Sequence, residues 1–322
     1  MLGIGLYGSN GHQIHHQLQD SAEAEIVAHA MLDETAREAV RTLAPGAIEH
    51  ASLASLLDDP RVELVSLCSP IRAQQAEEAI ACLRSGRHVY AEKPCALDER
   101  DLDRILAASR ASGRVFREMS GTIYAQPYWR IREIVRSGVL GDIVQVYAQK
   151  SYPNHAGRPG DEAIDGGLLL QVGIHAVRYI TQCTGLAALD VRAEETQTGL
   201  TGRGDLRSAV VVTMSLAGGA LATATVNYAS QRGFGHWGHE ELRIWGNLGF
   251  VEATDSGTRT RLVIGENDLG PLTDLAPAPQ ELSVLLDRIL RETPEPVAED
   301  EECQATRTVL RAKAGARLVT CR

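Results

Sequence analysis

No apolar run in the 322 residues approaches the roughly 18 that a membrane-spanning helix needs, so no role inside a bilayer is expected. There is no basic tract either. Lysine and arginine total 32 against 42 acidic residues, for a formal net charge of −10. Neutralising phosphates takes clustered cations, so nucleic acid is not an expected partner. Paired cysteines are also missing: Cys68, Cys82, Cys95, Cys183, Cys303 and Cys321 are scattered, with no C-x-x-C pair. They are expected to be reduced and mostly buried. The first residues, Met1 to Gln13, meet glycines at once and carry no basic-then-apolar leader, so a cytoplasmic chain is expected. The histidines suggest no metal. His12, His15 and His16 read as facing phosphate or solvent, and His236-Trp237-Gly238-His239-Glu240 lacks the His-Glu-x-x-His order of zinc proteases.

What is present is enough apolar residue, 44%, for packed cores. A single core stops growing at about 250–300 residues, so two domains are expected. The first third alternates short apolar runs with amphipathic stretches. Strands are expected at Leu2–Tyr7, Glu25–Leu32, Glu63–Cys68 and His88–Ala91. Helices are expected at His12–Asp20, Asp33–Thr42, Ser52–Leu57, Gln74–Ser85 and Glu99–Ser112. That grammar predicts an α/β domain with a parallel sheet covered by helices, of the Rossmann kind. After about Gly113 it changes. Helices at Pro127–Ser137 and Gly167–Thr184 bracket a strand at Ile143–Gln149 and a loop-rich stretch. Six strands then follow from Val191 to Ile264 with no helix between them, which predicts an α+β domain with a large, mostly antiparallel, open-faced sheet. Helices at Pro279–Arg291 and Glu301–Arg317 close the chain. The expected domains are residues 1–118 for a dinucleotide and 119–322 for substrate and oligomerisation. An open sheet face with few helices to cover it predicts a homodimer or homotetramer.

A strand that ends in glycines and opens a helix can seat a pyrophosphate, because glycine admits close backbone approach and the helix start offers free N–H groups. Gly8, Ser9, Asn10, Gly11, His12 and Gln13 form such a turn, read as Gly8-x-Asn10-x-x-Gln13 rather than G-x-G-x-x-G. Asn10 is expected to take the left-handed backbone that a glycine would. At the end of the second strand, Met31 stands where an acid should bind the adenosine ribose. Asp33, two residues on, either curls back to the ribose or caps its helix. No arginine is adjacent to take a 2′-phosphate, so NAD is favoured and NADP remains open.

At His88-Val89-Tyr90-Ala91-Glu92-Lys93-Pro94 the chain resembles the glucose–fructose oxidoreductase/inositol dehydrogenase (Gfo/Idh/MocA) family. Ser69-Pro70 upstream, Ser137 to Ile143, the Gly-Gly segment Asp165 to His175, and Gly238 to Ala253 carry the likeness across nearly the whole chain. The resemblance implies that Lys93 projects beside the nicotinamide. It also implies that Ser69, Pro70, Glu92 and Pro94 neighbour the cofactor and that His175 works with Lys93. A desolvated lysine near a cationic ring has a lowered pKa and can take the hydroxyl proton as hydride leaves. A histidine titrating near neutrality can act as base or relay. Gln171, four residues before His175, shares its helix face. The family usually has an acid there, and an amide orients but does not exchange a proton. A cleft closing over the cofactor is expected to join the three. Arg178 replaces an acid one turn later, which alters a supporting ion pair.

Gln75 stands near the position of a family histidine, as a cofactor neighbour or a helix-surface residue. Substrate-side candidates are Tyr124, Tyr128 and Trp129, then Tyr152, Asn154, His155 and Arg158 on the loop before the helix. Trp237 is a platform for a sugar ring or a surface residue. The expectation is an NAD(P)-dependent dehydrogenase or reductase acting on the CH–OH group of a sugar, cyclitol or nucleotide sugar. Two alternatives stay open: a dinucleotide-binding regulator without turnover, and a redox-neutral lyase or epimerase that keeps its NAD.

Overall fold

The computed structural model describes residues 1–19, 21–119, 121–155, 157–199, 204–273 and 275–319. The chain divides into two compact units. The first comprises Met1–Met119, Ala163–Asp165 and Leu282–Pro296; the second comprises Ser120–Glu162, Gly166–Glu281 and Val297–Arg322.

The first unit is a parallel sheet of β1 (Leu2–Tyr7), β2 (Ala24–Ala30), β3 (Ile48–His50), β4 (Leu64–Leu67), β5 (His88–Ala91) and β6 (Phe116–Glu118). Its order is β3-β2-β1-β4-β5-β6, so the winding reverses between β1 and β4. Every residue of β1 and β4 is buried, as helices on both faces require, which is why these strands read as continuous apolar runs. β3 and β6 were not anticipated, since three residues are too few to show a period. The reversal point is where open α/β sheets bind ligands, just beyond the carboxyl ends of the strands. The loops there carry Gly8–Gln13, Ser69–Pro70 and Glu92–Pro94.

One expected helix is corrected. His12–Asp20 holds no α-helix among its described residues, only a 3-10 turn at His15–Leu18, and Asp20 lies outside them. The Gln13 side chain accounts for the delay. Its Nε2 donates to the carbonyls of Tyr7, Gly8 and Ser66, and its Oε1 accepts from the Ser66 hydroxyl at 2.8 Å. The chain is thus pinned to the strand ends where a first helical turn would begin. A late segment also joins this unit. The helix Glu281–Arg291 buries Leu282, Leu285 and Leu286, one stripe at helical spacing, in the cluster of Leu2, Ile4 and Ile26. Each such side chain contributes about 1.5–3 kcal/mol.

The second unit holds β7 (Ile143–Ser151), β8 (Ala188–Thr196), β9 (Ala209–Leu216), β10 (Leu221–Asn227), β11 (His239–Gly246), β12 (Gly249–Thr254), β13 (Arg259–Ile264), β14 (Asn267–Gly270) and β15 (Arg317–Val319). The order is β14-β13-β12-β11-β7-β10-β9-β8-β15. The pairs are antiparallel except β7–β10 and β8–β15. β9 shows the two faces: Val210, Val212, Met214 and Leu216 are buried, while Val211, Thr213 and Ser215 are exposed. The helices Tyr128–Arg136, Ile174–Thr184 and Glu299–Ala314 pack in this unit with the sheet. The long helix expected from Gly167 is π-helical over Leu169–Gly173 before becoming α-helical at Ile174, and such widened turns recur at functional sites. Cys68, Cys82, Cys95, Cys183 and Cys303 are buried, and Cys321 lies outside the described residues.

At the start of β5, the His88 Nδ1 accepts the Val115 N–H at 3.0 Å, a bond that needs a neutral ring nitrogen. Burial, helped by the Arg114 charge, lowers the His88 pKa from 6.5 to about 4. The unfolded chain therefore binds more protons between those values, and stability is lost as pH falls from about 6.5 to about 4. His29 and His15, lowered mainly by burial, act in the same direction. The urea midpoint is expected to fall across this window, and His88→Gln to flatten the fall. An unchanged slope in the variant would show that His88 does not contribute.

Candidate active site

In the first unit, the turn after β1 is shaped by its neighbours. Gly8 has φ +70°, and a Cβ there would lie 2.1 Å from the Cys68 carbonyl oxygen. Gly11 has φ +139°, and its Cβ would lie 2.4 Å from Glu92 Cγ. The left-handed residues of this turn are these two glycines; Asn10 is not left-handed, contrary to expectation. Its backbone instead donates to the Cys68 carbonyl, and its side chain donates to the carbonyls of Pro70 at 3.2 Å and Ile164 at 2.7 Å. Ser9 accepts the Asp33 N–H on its hydroxyl at 3.0 Å. Asp33 caps its helix, its Oδ1 accepting from Ala36 N at 2.8 Å. Met31, just before, is exposed with φ +56°.

Glu92 follows β5 and is 1% exposed. Its Oε2 accepts the His12 backbone N–H at 2.6 Å and lies 3.0 Å from His12 Nδ1. Its Oε1 accepts the Lys93 N–H at 3.1 Å and lies 3.8 Å from Lys93 Nζ. Burial pushes this carboxyl up, but the His12 hydrogen bond and the charges of Lys93, His12 and Arg72 outweigh it and hold the pKa at about 2. A buried anion therefore faces the base of Lys93, itself 3% exposed.

Gln75 is fully buried rather than on a helix surface. Its Nε2 donates to the carbonyls of Glu92 at 2.5 Å and Pro94 at 3.1 Å. Its Oε1 accepts from Ser69 N at 3.3 Å and from Arg72. Arg72, which carried no signal in the sequence, is 2% exposed and also donates to the Asn10 carbonyl at 2.5 Å.

The second unit gathers the other candidates. The half-buried His175 shares a 2.5 Å hydrogen bond between Nδ1 and the Thr122 hydroxyl. Gln171, in the π-helical turn, accepts from Arg158 Nη1 at 3.1 Å. The same nitrogen donates to the Tyr228 hydroxyl at 3.0 Å, and the guanidinium lies 4.0 Å from the Tyr228 ring centroid. Thr122 and Tyr228 were missed because single residues far along the chain leave no local pattern. Tyr152 and His155 have ring centroids 6.2 Å and 5.9 Å from that of Trp237, which is exposed. A cavity of about 350 Å³ adjoins Trp237, lined also by Arg232 and His236. Tyr124 stacks on Trp129 at 5.8 Å. Tyr128 is a correction: it is buried, with its ring against Tyr179 and its hydroxyl donating to Glu240 at 3.2 Å. Arg178 is fully buried, its Nη2 3.4 Å from Glu302 Oε1.

Residues 1–119 match the family model described as the oxidoreductase family, NAD-binding Rossmann fold, and residues 128–252 match the GFO/IDH/MocA C-terminal domain. A dTDP-3,4-didehydro-2,6-dideoxy-alpha-D-glucose 3-reductase of Streptomyces violaceoruber is 31% identical over 157 residues, 47% of this chain and 44% of that protein. The chain spans less than half the length of the first curated relatives it matches. An oxidoreductase structure from Thermotoga maritima superposes with a TM-score of 0.88 at 22% identity, over 98% of this chain and 97% of that one. KijD10, a 3-ketoreductase from Actinomadura kijaniata in complex with NADP and TDP-benzene, gives 0.79 at 18% identity, over 99% and 98%. These two share the fold.

Removing the Glu92 charge takes away an anion 3.8 Å from the Lys93 ammonium. The charged form of Lys93 is then less favoured. Glu92→Gln is expected to lower the Lys93 titration midpoint, read by NMR of the ¹³C-methylated amine. A midpoint that stays or rises would contradict this electrostatic role.

Proposed function

The chain belongs to the Gfo/Idh/MocA oxidoreductase family, and from that premise we propose that it transfers hydride between a nicotinamide dinucleotide and a hydroxyl or ketone carbon of a sugar, cyclitol or nucleotide sugar. The observation that carries this reading is Lys93, buried beside the ionised Glu92 where the β5 loop meets the glycine turn. The turn suits a dinucleotide, since Gly8 and Gly11 admit no side chain and Ser9 and His12 present polar groups at its surface. Because β1 leads into only a 3-10 turn, the expected helix N-terminus does not supply the anion site, and the side chains of Ser9 and His12 take a larger share. Ser69, Pro70, Gln75, Glu92 and Pro94 complete the first-unit set as frame rather than direct donors.

The nicotinamide, when bound, supplies the hydride acceptor or donor. Lys93 takes the hydroxyl proton, or gives one to a ketone. His175, held through Nδ1 by Thr122, serves as the second proton carrier. Gln171 has no proton to exchange; Arg158 fixes its amide oxygen, and it orients substrate. Tyr124, Tyr152, His155, Arg158 and Trp237 are assigned to the substrate, with Trp237 offering a face for a ring. NAD is preferred to NADP. Asp33 places a carboxylate at the end of β2, where it repels a 2′-phosphate. Arg37 is already paired with Glu34 at 2.7 Å and Glu49 at 3.0 Å.

Lys93→Ala is expected to cost about two to four orders of magnitude in turnover while NADH still binds, measured on a panel of polyols and keto-sugars at the NADH absorbance band. Near-parental turnover in that variant would remove the mechanism. Dinucleotide binding with no turnover across the panel would favour the regulator, and cofactor that never exchanges would favour a redox-neutral enzyme.

The exposed sheet face, with Val211, Leu221 and Trp245, supports assembly into a homodimer or homotetramer. Sedimentation velocity at micromolar concentration is expected to give such a species, and a lone monomer would contradict it.

A further inference from the structure

The amide of Gln75 is spent entirely on backbone and on Arg72. Its two donors go to the carbonyls of Glu92 and Pro94, which lie one residue to either side of Lys93. Its oxygen takes the Ser69 N–H and an Arg72 N–H. The polarity is specific. The carbonyls need a donor and the other two groups need an acceptor, so only an amide of this length serves both sides. Arg72 extends the chain of bonds to the Asn10 carbonyl through its other end nitrogen. Its Nε has no hydrogen-bond partner among the described residues, so the two end nitrogens alone orient the guanidinium.

Three loops are therefore joined: the glycine turn at Asn10, the β4 loop at Ser69, and the β5 loop on both sides of Lys93. Ser69, Arg72, Gln75, Glu92 and Pro94 are buried and Asn10 is partly exposed, so the bonds around Gln75 are the ones most costly to leave unmade. Glu92 ties Lys93 to the same turn by a second route, through His12. We propose that Gln75, braced by Arg72, is the positioning residue that sets Lys93 and couples its placement to the glycine turn. The inference rests on the proposed oxidoreductase reading for its kinetic consequences, but the brace itself does not.

Gln75→Glu keeps the length and the acceptor toward Arg72 but loses the two donors. Arg72→Lys keeps a cation and loses the fork that reaches Gln75 and Asn10 together. In Gln75→Glu, Lys93 is expected to react at least about tenfold faster with an acylating reagent, followed by mass spectrometry, because its loop is released. Turnover is expected to fall by about a hundredfold with KM within about threefold, the split of a misplaced reacting group rather than of lost binding. Arg72→Lys is expected to move both readouts the same way and to weaken NADH binding, measured by fluorescence titration. A loss of stability alone would change the melting temperature without that split. Parental Lys93 reactivity in both variants would overturn the proposal. If Gln75→Glu does not fold, Arg72→Lys decides by the same readout. If the parent turns over no substrate, the oxidoreductase reading fails while the labelling still judges the brace.

Discussion

The buried carboxylate of Glu92 is the constraint around which the first unit's loops are arranged. Taking such a charge out of water costs several kcal/mol unless it is well paired. Here it accepts from the backbone of His12 and of Lys93, with the Lys93 ammonium and the His12 ring close by. Those contacts dictate other choices. Gly11 has no side chain because Glu92 occupies that space. The turn after β1 is held to the β5 loop rather than running into a helix. Lys93 is delivered to a fixed place beside an anion that favours its charged form.

The second unit holds its candidates by two contacts, neither of which involves a carboxylate. His175 is held by a threonine hydroxyl, and Gln171 by an arginine that also engages a tyrosine. The amide at 171 thus takes part in a network that begins with a cation, where an acid would have formed an ion pair with Arg158. In the proposed mechanism this shifts proton exchange toward Lys93 and His175 and leaves Gln171 an orienting role.

Much of this was legible in the sequence. The alternation of the first third and the run of strands in the second unit follow from periodicity, and Glu92-Lys93-Pro94 stood out at the end of β5. What was hidden had physical reasons. The helix expected after β1 failed because Gln13 spends its amide on strand-end carbonyls, a tertiary contact that helix propensity does not see. Asn10 was credited with a glycine's backbone, but its side chain is used as a bridge. The segment Leu282–Pro296 reads as a late amphipathic helix, and nothing in its pattern says that its leucine stripe belongs to the first unit's core. Thr122 and Tyr228 act through partners tens of residues away in sequence, and Arg72 joins nearby Gln75 to distant Asn10.

The central claim is that Lys93 and the glycine turn serve hydride transfer. The most direct measurement offers the protein NAD and a panel of sugars and cyclitols deuterated at the carbinol carbon, then reads the nicotinamide by mass spectrometry. The account predicts deuterium on the nicotinamide, acquired far more slowly in Lys93→Ala, even where bound cofactor never leaves. Dinucleotide that binds throughout and acquires no deuterium from any member of the panel would contradict it.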